Sequence, residues 1–123
     1  MSEQNTEQPV KVIFRTREQF LWSRKEYERE VIALFPELPG DNDPYSTCLS
    51  YQHVGQHGAA AVSLMDVTRP ATPEEYAPLM RELVAAVGYN LRIGHRFTRS
   101  DFLKRRELCN PRPRPTFQSV TKI

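Results

Sequence analysis

Cysteine is almost missing from this 123-residue chain: only Cys48 and Cys109 occur, far apart in the sequence. Two thiols are too few for the disulfide framework of a small secreted domain. With no apolar leader near Met1, the expected compartment is a reducing cytoplasm. No apolar run approaches the ~20 residues that a spanning helix needs, so a soluble chain is expected. Glycine is scarce as well, five residues against ten prolines. There is no Gly-rich phosphate loop, no dinucleotide fingerprint and no P-loop lysine, and C-x-x-C, H-E-x-x-H, helix-turn-helix and RNP signatures are also lacking. These absences remove the common nucleotide-dependent and zinc-dependent classes and leave no cofactor to expect.

What is there is a length suited to one domain, with 39% apolar and 26% charged residues. The formal net charge of +2 hides an asymmetry. Residues 1–88 hold eight Lys and Arg against thirteen Asp and Glu, whereas residues 89–123 hold nine against two. A basic last third is either an electrostatic footprint for nucleic acid or an acidic protein, or a solvated face with no specific partner.

The clearest element lies between Thr72 and Gly88. Thr72 suits an N-cap, Pro73 the first helical position, and Glu75 completes a T-x-x-E capping box; Gly88 stops the helix. Tyr76, Leu79, Met80, Leu83, Val84 and Val87 recur at spacings of three and four, which predicts an amphipathic helix over 73–87. Alternation predicts strands at 10–15, 48–54 and 89–97, and the apolar run at 31–35 predicts a buried strand closed by Pro36. Gly55 and Gly58 read as loop residues, followed by a helical turn or irregular packing at 59–64. Ser100 and Asp101 are expected to cap a short helix over 101–108. For the charged segment 16–29 a helix over 17–28 and a long β-hairpin compete on equal terms. The expectation is thus α+β: about four mainly antiparallel strands, one long helix across a face and a short C-terminal helix. The domain spans 10–108 between a disordered 1–9 and a basic, Pro-rich tail at 109–123. Its expected core holds Val12, Phe14, Ile32, Leu34, Leu79, Leu83, Val87, Leu91 and Ile93.

The segments VIFR, EVIALFPELPGDN, CLSYQHVGQHGAA and TPEEYAPLMRELVAAVGYNLRI, with the later Arg96-Phe97, together resemble a family of small, mostly uncharacterised bacterial and phage or mobile-element proteins. The resemblance covers residues 10–97. It brings no activity or catalytic set, and implies an accessory protein. The departure is residues 16–29, an insertion containing Trp22 where the family has a short turn.

The motif with most chemical potential is QHVGQHG, where His53 and His57 stand four apart. On a helix that spacing would align two imidazoles for zinc, with a third ligand from His95, Cys48 or Asp66, but the neighbouring glycines oppose a helix. The competing role is structural, holding the loop through hydrogen bonds, and it is preferred; a small His-dependent metal hydrolase is the second alternative. Cys48 reads as a small core residue, and Asp41 and Asp43 as turn formers.

Two binding readings remain. Phe20, Leu21, Trp22 and Tyr27, set among charges in the insertion, have the composition of a protein-interface anchor. They point to an inhibitor or adaptor that docks on a host protein or nucleoprotein complex, the preferred function. The alternative is nucleic-acid binding by Arg92, Arg96, Arg99, Lys104, Arg105, Arg106, Arg112 and Arg114, with Tyr89, Phe97 and Phe102 available for stacking.

Overall fold

A computed structural model describes residues 8–21, 23–52 and 56–109, with only the backbone of 19–21. Trp22, His53, Arg112, Arg114, residues 1–7 of the expected disordered start (1–9) and residues 110–123 of the expected basic tail (109–123) lie outside the described residues.

The frame is a hairpin of β1 (Val10–Leu21) and β2 (Glu26–Phe35), paired from Ile13↔Leu34 to Leu21↔Glu26. The segment 16–29 is therefore hairpin and not helix. β2 is joined by β3 (Thr47–Gln52), and β3 by β4 (Gln56–Ala61), all antiparallel. A short β5 (Arg69–Pro70) pairs with Arg15 and Thr16 of β1, and β6 (Leu91–Ile93) runs parallel to Val10–Val12 of β1. Among the described residues this makes a six-stranded mixed sheet, β4-β3-β2-β1-β5 with β6 beside β1. Two helices complete an α+β fold: α1 (Pro73–Arg81), prolonged by a π-helical turn at Glu82–Val87, and α2 (Arg99–Cys109).

Period-two alternation sends apolar side chains to both faces of the central strands. Val12, Phe14, Ala33, Phe35 and Tyr51 pack with Leu79 and Leu83 on one face. Ile13, Ile32, Leu34 and Cys48 form a second core on the other, covered by Ala60, Leu64, Met65 and Phe97. Both faces being covered, even Lys11 and Arg15 are buried. The Arg15 guanidinium is satisfied by Thr68 Oγ1 and by the carbonyls of Met65 and Thr68.

The capping box is formed in both directions: Glu75 N–H donates to Thr72 Oγ1 at 3.3 Å and Thr72 N–H to Glu75 Oε1 at 2.9 Å. Gly88, at φ 100°, ends the helix in the left-handed conformation that glycine adopts at least cost. Its last turn corrects the expected core. Gly88 N–H bonds back to Leu83 O, five residues earlier. Val84 and Val87 on this turn are exposed, at 46% and 42%. Ile93 also leaves the expected core, because β6 ends after three residues and Ile93 lies at its uncovered end. The strand expected at 89–97 is correspondingly shorter. Residues 56–61, expected as loop and irregular backbone, are β4, and a 3-10 turn at Val62–Asp66 follows. At α2 the capping residue is Thr98, not Ser100: Thr98 N–H donates to Asp101 Oδ2 at 2.9 Å and Asp101 N–H to Thr98 Oγ1 at 3.2 Å.

Candidate functional site

The β1–β2 hairpin outruns the sheet that it anchors. Along β2, side chains 32–35 are buried, 30 and 31 half-buried and 26–29 exposed. Five residue pairs, Arg17↔Glu30 to Leu21↔Glu26, form this outer arm. At ~3.4 Å per residue it extends roughly 17 Å. Its composition explains why it stays out of the core, since Glu18, Arg24, Glu26, Glu28 and Arg29 are all charged. Arg17 meets Glu30 at 3.1 Å, Arg29 meets Glu18 at 3.5 Å, and Arg24 meets Glu28 at 2.9 Å. Exposed pairs of this kind are each worth ~0–1 kcal/mol, so the backbone ladder rather than the charges keeps the arm straight. Arg29 also reaches Glu75 at 3.5 Å, and Gln52 donates to Glu30 at 2.6 Å, bracing the arm at its base.

Of the interface candidates, Tyr27 lies on the arm, 69% exposed. The register sets Phe20 directly opposite it, and Leu21 opposite Glu26 at the end of the ladder. Lys25, at φ 54°, belongs to the connecting turn. Trp22 precedes this turn in the sequence and lies outside the described residues.

The basic candidates do not form one surface. Arg105 is 3% exposed and donates to Pro44 O at 2.8 Å and Pro36 O at 2.6 Å. Its guanidinium also lies over the rings of Phe97 and Phe102. It pins α2 to the loop after β2, which corrects its assignment as a phosphate contact. Arg92 and Lys104 share Glu37 Oε2 at 2.8 and 3.0 Å, while the Lys11 N–H donates to Glu37 Oε1. Burial raises the Glu37 carboxyl, but the Lys104 and Lys11 hydrogen bonds and the nearby Lys104 and Arg92 charges outweigh it, and its pKa is lowered. Arg96, Arg99 and Arg106 are exposed, with Arg106 over the Phe102 ring. The aromatic candidates are engaged too. Tyr89 stacks on Phe35 at 4.9 Å, Phe97 packs against the second core, and Phe102 meets Tyr45 at 5.0 Å.

His57 Nε2 lies 2.8 Å from Tyr89 Oη, and its ring meets Tyr51 edge-on. Tyr51 in turn donates to Glu82 at 2.5 Å. That hydrogen bond, then burial and the Glu82 charge, raise the Tyr51 pKa. His95 is exposed in the loop after β6. Among the described residues no three His, Cys, Asp or Glu side chains gather as a metal-ligand group. Burial pushes the Cys48 thiol up to about 11, which makes it a poor nucleophile at neutral pH. Asp41 and Asp43 are turn formers: Asp41 accepts from Asp43 N–H and Thr47 Oγ1, and Asp43 from the N–H groups of Tyr45 and Ser46.

Sequence reasoning missed Glu37, which gathers Lys11, Arg92 and Lys104. Nothing in a loop between Pro36 and Pro39 marks it. It also missed β4, whose small residues carry no alternation.

Among the described residues no helix is long and apolar enough to cross a membrane. No protein-family model, curated protein or solved structure matches the chain.

Proposed function

We propose that this chain is a small binding protein of phage or mobile-element type, an inhibitor or adaptor that docks on a host protein or nucleoprotein complex through the β1–β2 arm. The observation that supports this reading is the arm itself: a five-pair ladder with exposed charged flanks, leading to the aromatic segment at 20–27. An extension of this length contributes little to either core, and a paired backbone on which Tyr27 is exposed suits an interface anchor. The nucleic-acid reading is weakened because Arg105 is buried and Arg92 and Lys104 are held by Glu37.

The test replaces residues 18–29 by Asn-Gly, closing the hairpin on the Arg17↔Glu30 pair with a two-residue turn. The expected result is a folded protein that loses a nuclease-resistant partner in pull-down. Trp22→Ala should weaken the same complex by about 2 kcal/mol, and Arg96→Ala with Arg99→Ala and Arg106→Ala should leave it intact. Loss of the partner on nuclease treatment, or with the arginine variant alone, would return the function to nucleic-acid binding.

A further inference from the structure

β4 closes one side of the sheet, and its ladder shows which backbone groups it leaves over. Val62 N–H donates to Ser46 O at 2.7 Å, one step beyond the Thr47↔Ala61 pair. Doubly bonded antiparallel pairs alternate with non-bonded ones, so the bonded pairs that follow are Cys48↔Ala60, Ser50↔Gly58 and Gln52↔Gln56. The N–H and C=O groups of His57, Ala59 and Ala61 therefore point away from β3. Among the described residues β4 pairs with no other strand.

Sheets usually blunt such an edge with charge, proline, a bulge or a covering element. This molecule does so on its other side: β5 and β6 cover β1 near the core, and Arg17 and Glu18 charge it farther out. β4 uses none of these devices in its strand. Gln56, His57, Gly58, Ala59, Ala60 and Ala61 include no proline and no Lys, Arg, Asp or Glu. Their six consecutive pairs with β3 contain no bulge, and all but Ala60 are exposed. From Gly58 onward the side chains are small enough for another backbone to come alongside.

We infer that β4 is a homodimerisation edge, two copies joining β4 to β4 antiparallel about a two-fold axis at Ala59. A second copy fits because the edge is self-complementary. Centring on Ala59 sets Ala59 against the partner's Ala59 and His57 against the partner's Ala61. Every outward residue then falls in a doubly bonded pair, and each outward donor meets an outward acceptor. No formal charge opposes its own copy, since His57 meets an alanine. β4 runs parallel to β2, both being antiparallel to β3, so the two arms would leave opposite ends of one continuous sheet.

Sedimentation velocity and light scattering over a dilution series of the full chain test this. The expected result is a concentration-dependent dimer. Ala59→Pro removes an outward N–H without touching the β3 ladder. It should give a monomer with unchanged circular dichroism and melting temperature. Ala59→Lys and Ala59→Glu should each be monomeric alone at low salt, and an equimolar mixture should dimerise, because position 59 meets itself. A misfolded variant cannot produce that rescue. A wild-type monomer up to millimolar concentration would overturn the inference, as would a dimer that survives all three substitutions. A dimer lost only on removing the arm or residues 110–123 would place the interface elsewhere and overturn it equally.

Discussion

Lys11 Nζ lies 2.7 Å from Asp101 Oδ2, joining β1 to α2 across ninety residues of sequence, with the two side chains only 9% and 4% exposed. The same ammonium donates to Arg96 O at 2.8 Å, so this pair closes the loop before α2 onto the sheet. Lys11→Met strands a buried carboxylate and should cost about 3–5 kcal/mol in urea unfolding. Adding Asp101→Asn removes the stranded charge while keeping an acceptor for Thr98 N–H. The double variant should be more stable than Lys11→Met alone; if it is less stable, the pair is not the source of the loss.

Two positions of one predicted stripe, Leu83 and Val87, differ in burial. Leu83 is fully buried, and Leu83→Ala should cost roughly 2–5 kcal/mol. Val87→Ala should stay within about 0.5 kcal/mol, as expected of an exposed side chain. Equal losses, measured by thermal or denaturant unfolding, would mean that Val87 is packed as Leu83 is.

Arg105 and Arg106 are neighbours with opposite roles. Arg105→Ala should destabilise by about 1–3 kcal/mol through the stranded Pro36 and Pro44 carbonyls. Arg105→Lys should not restore the loss, because a point-like ammonium does not reproduce the planar fork that serves both carbonyls and lies over two rings. Arg106→Ala should be close to neutral. A rescue by lysine, read from the denaturation midpoint, would argue against the fork geometry.

Acid should act through carboxylates held ionised by the fold. The Arg69 guanidinium, then the Thr72 N–H, hold the Glu75 carboxyl down to about 2. At Asp101, burial raises the pKa but the Lys11 and Thr98 bonds outweigh it, and it too is lowered. A depressed folded pKa gives stability that is present above the unfolded value, ~4, and is lost as pH falls through the folded one. Glu75→Gln should therefore flatten the fall in melting temperature between about 4.5 and about 2. An unchanged acid profile would show that Glu75 is not held in the folded state.

Much of the frame was readable because local chemistry and hydropathy agreed. Thr72, Pro73, Glu75 and Gly88 each carry a backbone-specific signal, and Val10–Phe14 and Ile32–Phe35 alternate or run apolar as buried strands must. Residues 17–28 were ambiguous for a physical reason: exposed charges with scattered aromatics fit a helix face or a hairpin equally, and only the pairing inherited from the buried half of β1 and β2 decides. β4 was hidden because Gly58 and three alanines have no hydropathy contrast and glycine reads as a breaker. Arg105 was hidden because a run of basic residues does not announce which one turns inward. Of the candidate interface, the charged and aromatic composition of residues 16–29 was legible, but their projection from the sheet was not.

β1 is one uninterrupted strand from the exposed arm to Lys11. Its inner half is paired in turn with β6 at Val10–Val12, with β2 from Ile13 onward and with β5 at Arg15 and Thr16, while its outer half is held by β2 alone among the described residues. A force that bends or twists the tip therefore works on a lever whose fulcrum lies near Arg15 and Thr16. Beyond that fulcrum the same strand reaches Lys11, whose ion pair with Asp101 ties it to α2.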